Sequence, residues 1–159
     1  MILFCVLALA GPGFAASASD DVTIAFYTPF SLTKEQDISV SITPEDGKSS
    51  YHDFASFSEA KLLAEGEPGI DVSITYDNQI TLTDSDSHTA TLYLVCRADT
   101  SGYVADIDNG LACNSVDLQT DATSGNLYIS LFPTSVNFGD DNVPGTYTGT
   151  LTVTIDYRE

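Results

Sequence analysis

Polar and apolar residues alternate along most of this chain, and the pattern is cleanest near its C-terminus. After Pro144-Gly145, the residues Tyr147, Gly149, Leu151, Val153, Ile155 and Tyr157 fall on one face. Thr146, Thr148, Thr150, Thr152, Thr154 and Asp156 fall on the other. A period of two, with β-branched residues on both faces, predicts a half-buried antiparallel strand. Such a strand needs partners on both edges, because an unpaired, flat apolar edge is a template for aggregation.

Upstream, the same alternation returns in short runs. Val22, Ile24 and Phe26 share one face of a run that ends at the turn-biased Thr28-Pro29, proline supplying no N–H to a ladder. Phe30–Thr33 and Ile38–Ile42 alternate next, and Pro44–Gly47 has turn chemistry. Between Ser49 and Gly69 the pattern breaks. Phe54, Phe57 and Lys61 lie three to four apart, with Leu62 next, which allows a short helix over Phe57–Glu65; a strand-plus-loop crossing between sheets is the alternative, and periodicity does not decide. Asp71–Tyr76 and Gln79–Thr83 alternate on either side of an Asp77-Asn78 turn, and the polar loop Asp84–His88 leads into Thr89–Ala98, the most apolar strand. Asp99–Asp121 is loop-rich, Asn126–Phe132 is a further strand, and Val136–Phe138 leads to the final one. Seven or eight strands at intervals of about 8–12 residues predict an all-β antiparallel sandwich in one domain.

The N-terminus changes the picture of compartment. Met1–Ala10 is apolar, and Gly11, Pro12, Gly13, Phe14 and Ala15 follow. This fits the core and cleavage region of a signal peptide and is shorter than the about 20 apolar residues of a membrane span. We place cleavage after Ala15, with Ala18 as the second candidate and a buried N-terminal strand as the alternative. The basic residues that usually open such a peptide are missing. Residues 1–15 carry no charge, so the remainder keeps the formal −18 that comes from 23 acidic against 5 basic side chains. That balance disfavours nucleic acid, whose phosphates it repels, and suits a solvated surface. Of three cysteines, Cys5 lies in the signal segment, leaving Cys96 and Cys113. An even remainder in an exported protein suggests a disulfide, which in the loop-entropy model stabilises by roughly 3 kcal/mol for sixteen intervening residues. A metal pair or two free thiols are the alternatives. Neither His52 nor His88 stands at a ligand-like spacing from the cysteines, which disfavours zinc.

Catalytic motifs are absent from the sequence: it has no Gly-x-Ser-x-Gly elbow, no His-Glu-x-x-His and no phosphate loop. His52 adjoins Asp53, but neighbours in an extended segment face opposite ways. We expect no catalytic residue and no cofactor. Asp84-x-Asp86, Asp106-x-Asp108-Asn-Gly110 and Gly139-Asp-Asp-Asn142 are oxygen-rich, yet each lacks the trailing Glu of a twelve-residue calcium loop. We read them as Asx-type turns and expect no metal.

The ending Pro144-Gly-Thr-Tyr-Thr-Gly-Thr-Leu-Thr-Val-Thr-Ile-Asp-Tyr157 resembles the final strand of chaperone–usher pilus subunits and of related exported, pilin-like immunoglobulin-like β-sandwiches. Gly145 and Tyr157 have the twelve-position separation of the glycine and near-terminal tyrosine that frame this strand in many pilins. Tyr157 departs from the pattern in being third from the end. Two further stretches are similar in layout: the extension before Thr28-Pro29, and Gly66-Glu-Pro-Gly69 leading into Ser73-Ile-Thr75. The resemblance implies an incomplete sandwich over residues 30–159, preceded by an N-terminal extension over 16–29. In it Val22, Ile24 and Phe26 are donor-strand plugs. Tyr147, Leu151, Val153, Ile155 and Tyr157 line the acceptor strand, with Gly149 leaving room for a plug. It implies neighbouring copies in a fimbria, a periplasmic chaperone and an outer-membrane usher as partners, export through the periplasm to the cell surface, and a surface receptor if the subunit is adhesive. The alternative is a self-complete, monomeric secreted sandwich, with Val22–Tyr27 paired in cis and the Cys96–Cys113 loop as its binding surface.

Overall fold

The computed structural model describes residues 29–43, 45, 48–138 and 143–158. The signal segment and the candidate donor residues Val22, Ile24 and Phe26 lie outside the described residues. Among the described residues the chain is all-β, with eleven strands and no helix. The count exceeds the expected seven or eight because several of the strands are only two or three residues long.

The largest sheet is antiparallel throughout. Its order is β1 (Ser31–Gln36), β5 (Ala60–Glu65), β10 (Asn126–Asn137), β8 (Thr89–Asp99), β7 (Gln79–Thr83). The short β3 (Ser50–Tyr51) adds to β10, and β9 (Leu111–Ala112) adds to β8. Two smaller ladders complete the sandwich: β2 (Ser39–Ser41) with β4 (Ser56–Ser58), and β6 (Val72–Tyr76) with β11 (Val153–Tyr157).

Alternation accounts for the centre of this sheet. In β8, Ala90, Leu92, Leu94, Cys96 and Ala98 are buried, while Thr91, Tyr93, Val95 and Arg97 between them are half-buried. Leu127, Ile129 and Leu131 of β10 face the same core, each wholly buried. β10 runs unbroken through the two stretches expected to be separate. Its register against β8 shifts between Pro133 and Ser135, where proline has no N–H to give.

The expected helix over Phe57–Glu65 is replaced by β4 and β5. Ala60, Leu62 and Ala64 point into the core, and Lys61 and Leu63 point to the opposite face. That opposite face is also covered, which is why the alternation was hard to see. Tyr103, from the excursion after β8, packs edge-on against Tyr128 at 5.1 Å between ring centroids, with Lys61 Nζ 5.7 Å from the Tyr103 ring. Cys96 and Cys113 form a disulfide at the base of this excursion, their Cα atoms 5.5 Å apart.

Asp77-Asn78 is not a reversal. β6 and β7 continue in one direction, and the final segment runs antiparallel to both. Val153 to Tyr157 pair with Tyr76 to Val72, the Asp77 N–H donates to the Thr152 carbonyl, and Thr148 and Thr83 exchange two backbone hydrogen bonds at 2.8 and 3.0 Å. Five residues (78–82) face three (149–151) within this ladder, so β6–β7 bulges there.

Leu62, Leu127, Ile129 and Leu131 form the middle of a single core that also takes in Val72, Ile74 and Ile155. Ile129→Ala, at a fully buried central position, is expected to destabilise the protein by about 2–5 kcal/mol. Urea unfolding of the variant measures this, and a loss under 1 kcal/mol would contradict the core assignment.

Candidate functional site

Among the described residues the sandwich is open along one side. A groove of about 1010 Å³ runs between the first strand region and the final segment. One wall is Ile38, Val40 and Ile42, the alternating apolar positions in and around β2. The other is Tyr147, Gly149, Leu151 and Val153. Ala60, Leu62, Ile80, Leu82, Ala90 and Leu92 form the floor, so the groove exposes the sheet's own core face.

Both walls are strand edges paired on one side only. β2 bonds to β4 on its far side, and among the described residues no strand pairs its groove side. The final segment is tied to Thr83 and Asp77 and is likewise unpaired towards β2. Counting the alternations across the large sheet, β1 and the final segment run in opposite directions. The groove therefore has two distinct ends. Near the start of β1, Phe30 and Tyr157 stack with centroids 4.3 Å apart, and the Glu67 N–H donates to the Tyr157 hydroxyl at 2.9 Å. At the other end, Phe138 meets Tyr147 and Tyr51 edge-on at 5.3 and 5.7 Å, and the Tyr147 hydroxyl donates to the Val143 carbonyl.

Four of the six C-terminal positions singled out in the sequence (Tyr147, Gly149, Leu151 and Val153) line this groove. Ile155 and Tyr157 do not. Beyond Val153 the strand is fully engaged with β6, so Ile155 is buried in the closed core opposite Ile74, and Tyr157 closes the Phe30 end. A Cβ on Gly149 would lie 2.7 Å from the Thr81 carbonyl oxygen and 2.8 Å from Leu82 Cδ2. The missing side chain admits the chain's own bulged strand. Sequence reasoning did not assign the opposite wall or the floor to a site. The signal for the wall was the Ile38-Ser-Val40-Ser-Ile42 alternation.

The turn after β7 borders the end of the groove where Gly145 lies. Asp84 Oδ1 accepts the Asp86 and His88 N–H groups at 2.9 and 2.8 Å, and Oδ2 meets His88 Nδ1 at 2.8 Å. Burial pushes the Asp84 carboxyl up, but the hydrogen bonds from the His88 ring and from the two N–H groups outweigh it and hold the carboxyl below its usual range. Asp84, Asp86 and His88 offer ligand atoms within 4.8 Å of one another, yet both oxygens of Asp84 are already engaged in closing the turn. Asp106 likewise accepts the Asp108 N–H at 3.1 Å, as an Asx turn does. Gly139-Asp-Asp-Asn142 lies outside the described residues.

No protein-family model matches this chain, and no curated protein matches it.

Two predictions follow from this geometry. Gly149→Ala should force the final segment away from Thr81. Hydrogen exchange at the Thr83 and Thr148 amides, which hold that segment, is expected to accelerate, and unchanged exchange would refute the close approach. A carboxyl held low in the fold adds stability above its unfolded pKa of about 4 and loses it as pH falls through the folded value. Asp84→Asn should therefore melt below wild type at pH 7, with the gap narrowing below about pH 4. Thermal melts at the two pH values check this, and a gap independent of pH would count against it.

Proposed function

We propose that this protein is a structural subunit of a bacterial surface fimbria, polymerised by donor-strand complementation and contributing to adhesion. One observation carries the reading: an apolar groove that opens onto the core and is bounded by two strand edges whose groove sides are unpaired among the described residues. A groove of this kind asks for an extended segment with alternating apolar side chains. Backbone hydrogen bonds to both edges would supply affinity and side-chain pockets specificity.

The occupant is the segment before Pro29 of a second copy, with Val22, Ile24 and Phe26 entering the groove. Burying each large apolar side chain contributes about 1.5–3 kcal/mol, while ordering each backbone residue costs about 1–2 kcal/mol. The three plugs roughly offset the ordering of the strand, so the net affinity comes from the two backbone ladders. Donor and acceptor surfaces differ, so the contact is heterologous and propagates as a filament. On this reading the chain is exported as a soluble subunit. A periplasmic chaperone covers the groove until an outer-membrane usher directs the exchange. The role is structural rather than enzymatic.

Sheared surface protein run in SDS without boiling should give a ladder that collapses to one band on boiling. Ile24→Asp should abolish the ladder while leaving secretion intact. A single monomer band in both lanes of the wild type would mean that the chain fills its own groove, as a self-complete secreted sandwich would.

A further inference from the structure

Lys34 occupies an unexpected place. In β1 it pairs directly with Leu62, and directly opposed residues of an antiparallel pair project to the same face. Leu62 is on the groove floor, so Lys34 projects from the outermost strand on the groove side, between Leu32 and Gln36. Its neighbours along the groove are almost all apolar or hydroxyl-bearing. Among the described lining residues it is the one cation, and Asp37 is the one anion. The Lys34 ammonium meets Asp37 Oδ1 at 2.6 Å, and its side chain stays 63% exposed. An ammonium carries three donors, so one carboxylate leaves it free to hold more.

The other basic side chains are committed elsewhere. Lys48 and Lys61 pair with Glu45 and Glu59, Arg97 donates to the Ile107 carbonyl, and Arg158 donates to the Ser115 and Val116 carbonyls. In a chain of net charge −18, a single cation on an apolar groove is a strong local discriminator. The two groove ends differ in charge: one carries the Lys34–Asp37 ion pair, the other borders the Asp84 carboxylate. Lys34 lies towards the Phe30–Tyr157 end. At the opposite end, Asp84 Oδ2 would stand 3.5 Å from a Cβ on Gly145.

We propose that Lys34 is the specificity-determining residue of the groove and recognises the acidic pair Asp20-Asp21 that precedes Val22 in a second copy of this chain. This rests on the strand-addition reading above. Asp20 shares the phase of Val22, Ile24 and Phe26, so it faces the groove when they do. A strand seated with Asp20 at the Lys34 end gains an ion pair. The reversed strand brings Asp20 and Asp21 towards Asp84 and forgoes that ion pair. The same charge rule disfavours foreign segments that lack an acidic residue two or so positions before the first plug.

The test titrates fluorescent synthetic peptides of residues 19–28 against the full chain and follows anisotropy. Lys34→Glu, at an exposed position, should weaken the native peptide by about three- to tenfold. A peptide carrying Asp20→Lys and Asp21→Lys should bind the wild type poorly and recover on the Lys34→Glu chain. That recovery isolates the pair from other effects of either change. Lys34→Gln, which removes the charge without reversing it, should fall between wild type and Lys34→Glu for the native peptide. Equal binding of the native peptide to wild type and Lys34→Glu, or no recovery by the swapped peptide, would overturn the assignment of Lys34 alone. An Ile24→Asp peptide separates the two claims. If it binds the wild type as well as the native peptide does, or neither binds, the groove reading itself fails and takes this inference with it.

Discussion

Thr148 and Thr83 exchange two backbone hydrogen bonds, and Thr152 is tied to Asp77 four residues further on. These bonds fasten the final segment along the continuous β6–β7 strand and, among the described residues, leave its other edge without a strand. That edge is largely exposed and borders an apolar channel, a template to which a further strand can add. β2, on the far wall, is turned away to pair with β4, and the core face of the large sheet is left open between the two walls.

The strands were legible where burial is one-sided or where a run is apolar throughout. β8 and the final strand have a local period of two that needs no tertiary information. At β5 periodicity could not separate helix from strand because both of its faces are covered, one by the core and the other by Tyr103 and its excursion, so its alternation blurs into spacings that mimic a helix. Asp77-Asn78 has sound turn chemistry, but the final segment pairs on both sides of it and holds the chain straight. Long-range pairing decided what local propensity could not.

The groove itself was only half legible. Its C-terminal wall carries a recognisable pattern, and the Ile38–Ile42 wall is an alternation like any other. That the two face each other across a gap is a property of sheet order, which no local pattern encodes. Lys34 is the sharpest case. Read along the sequence it sits in a polar stretch, Thr33-Lys-Glu-Gln36, and nothing there suggests an apolar environment. Its register opposite Leu62, one step before the β1 bulge, puts it on the groove side.

The disulfide has a mechanical side as well. It joins Cys96 in the central strand β8 to Cys113 at the close of the excursion, with sixteen residues between them. A fully extended chain spans at most about 3.3–3.6 Å per residue, so the covalent loop withholds on the order of 55 Å of contour from any stretch applied to the protein. Under load, the outer strands can peel and lengthen while that loop stays short. Force reaching β8 from either direction passes across the sulfur–sulfur bond rather than through the residues between the two cysteines, and Tyr103 and Leu111 among them carry none of the tension.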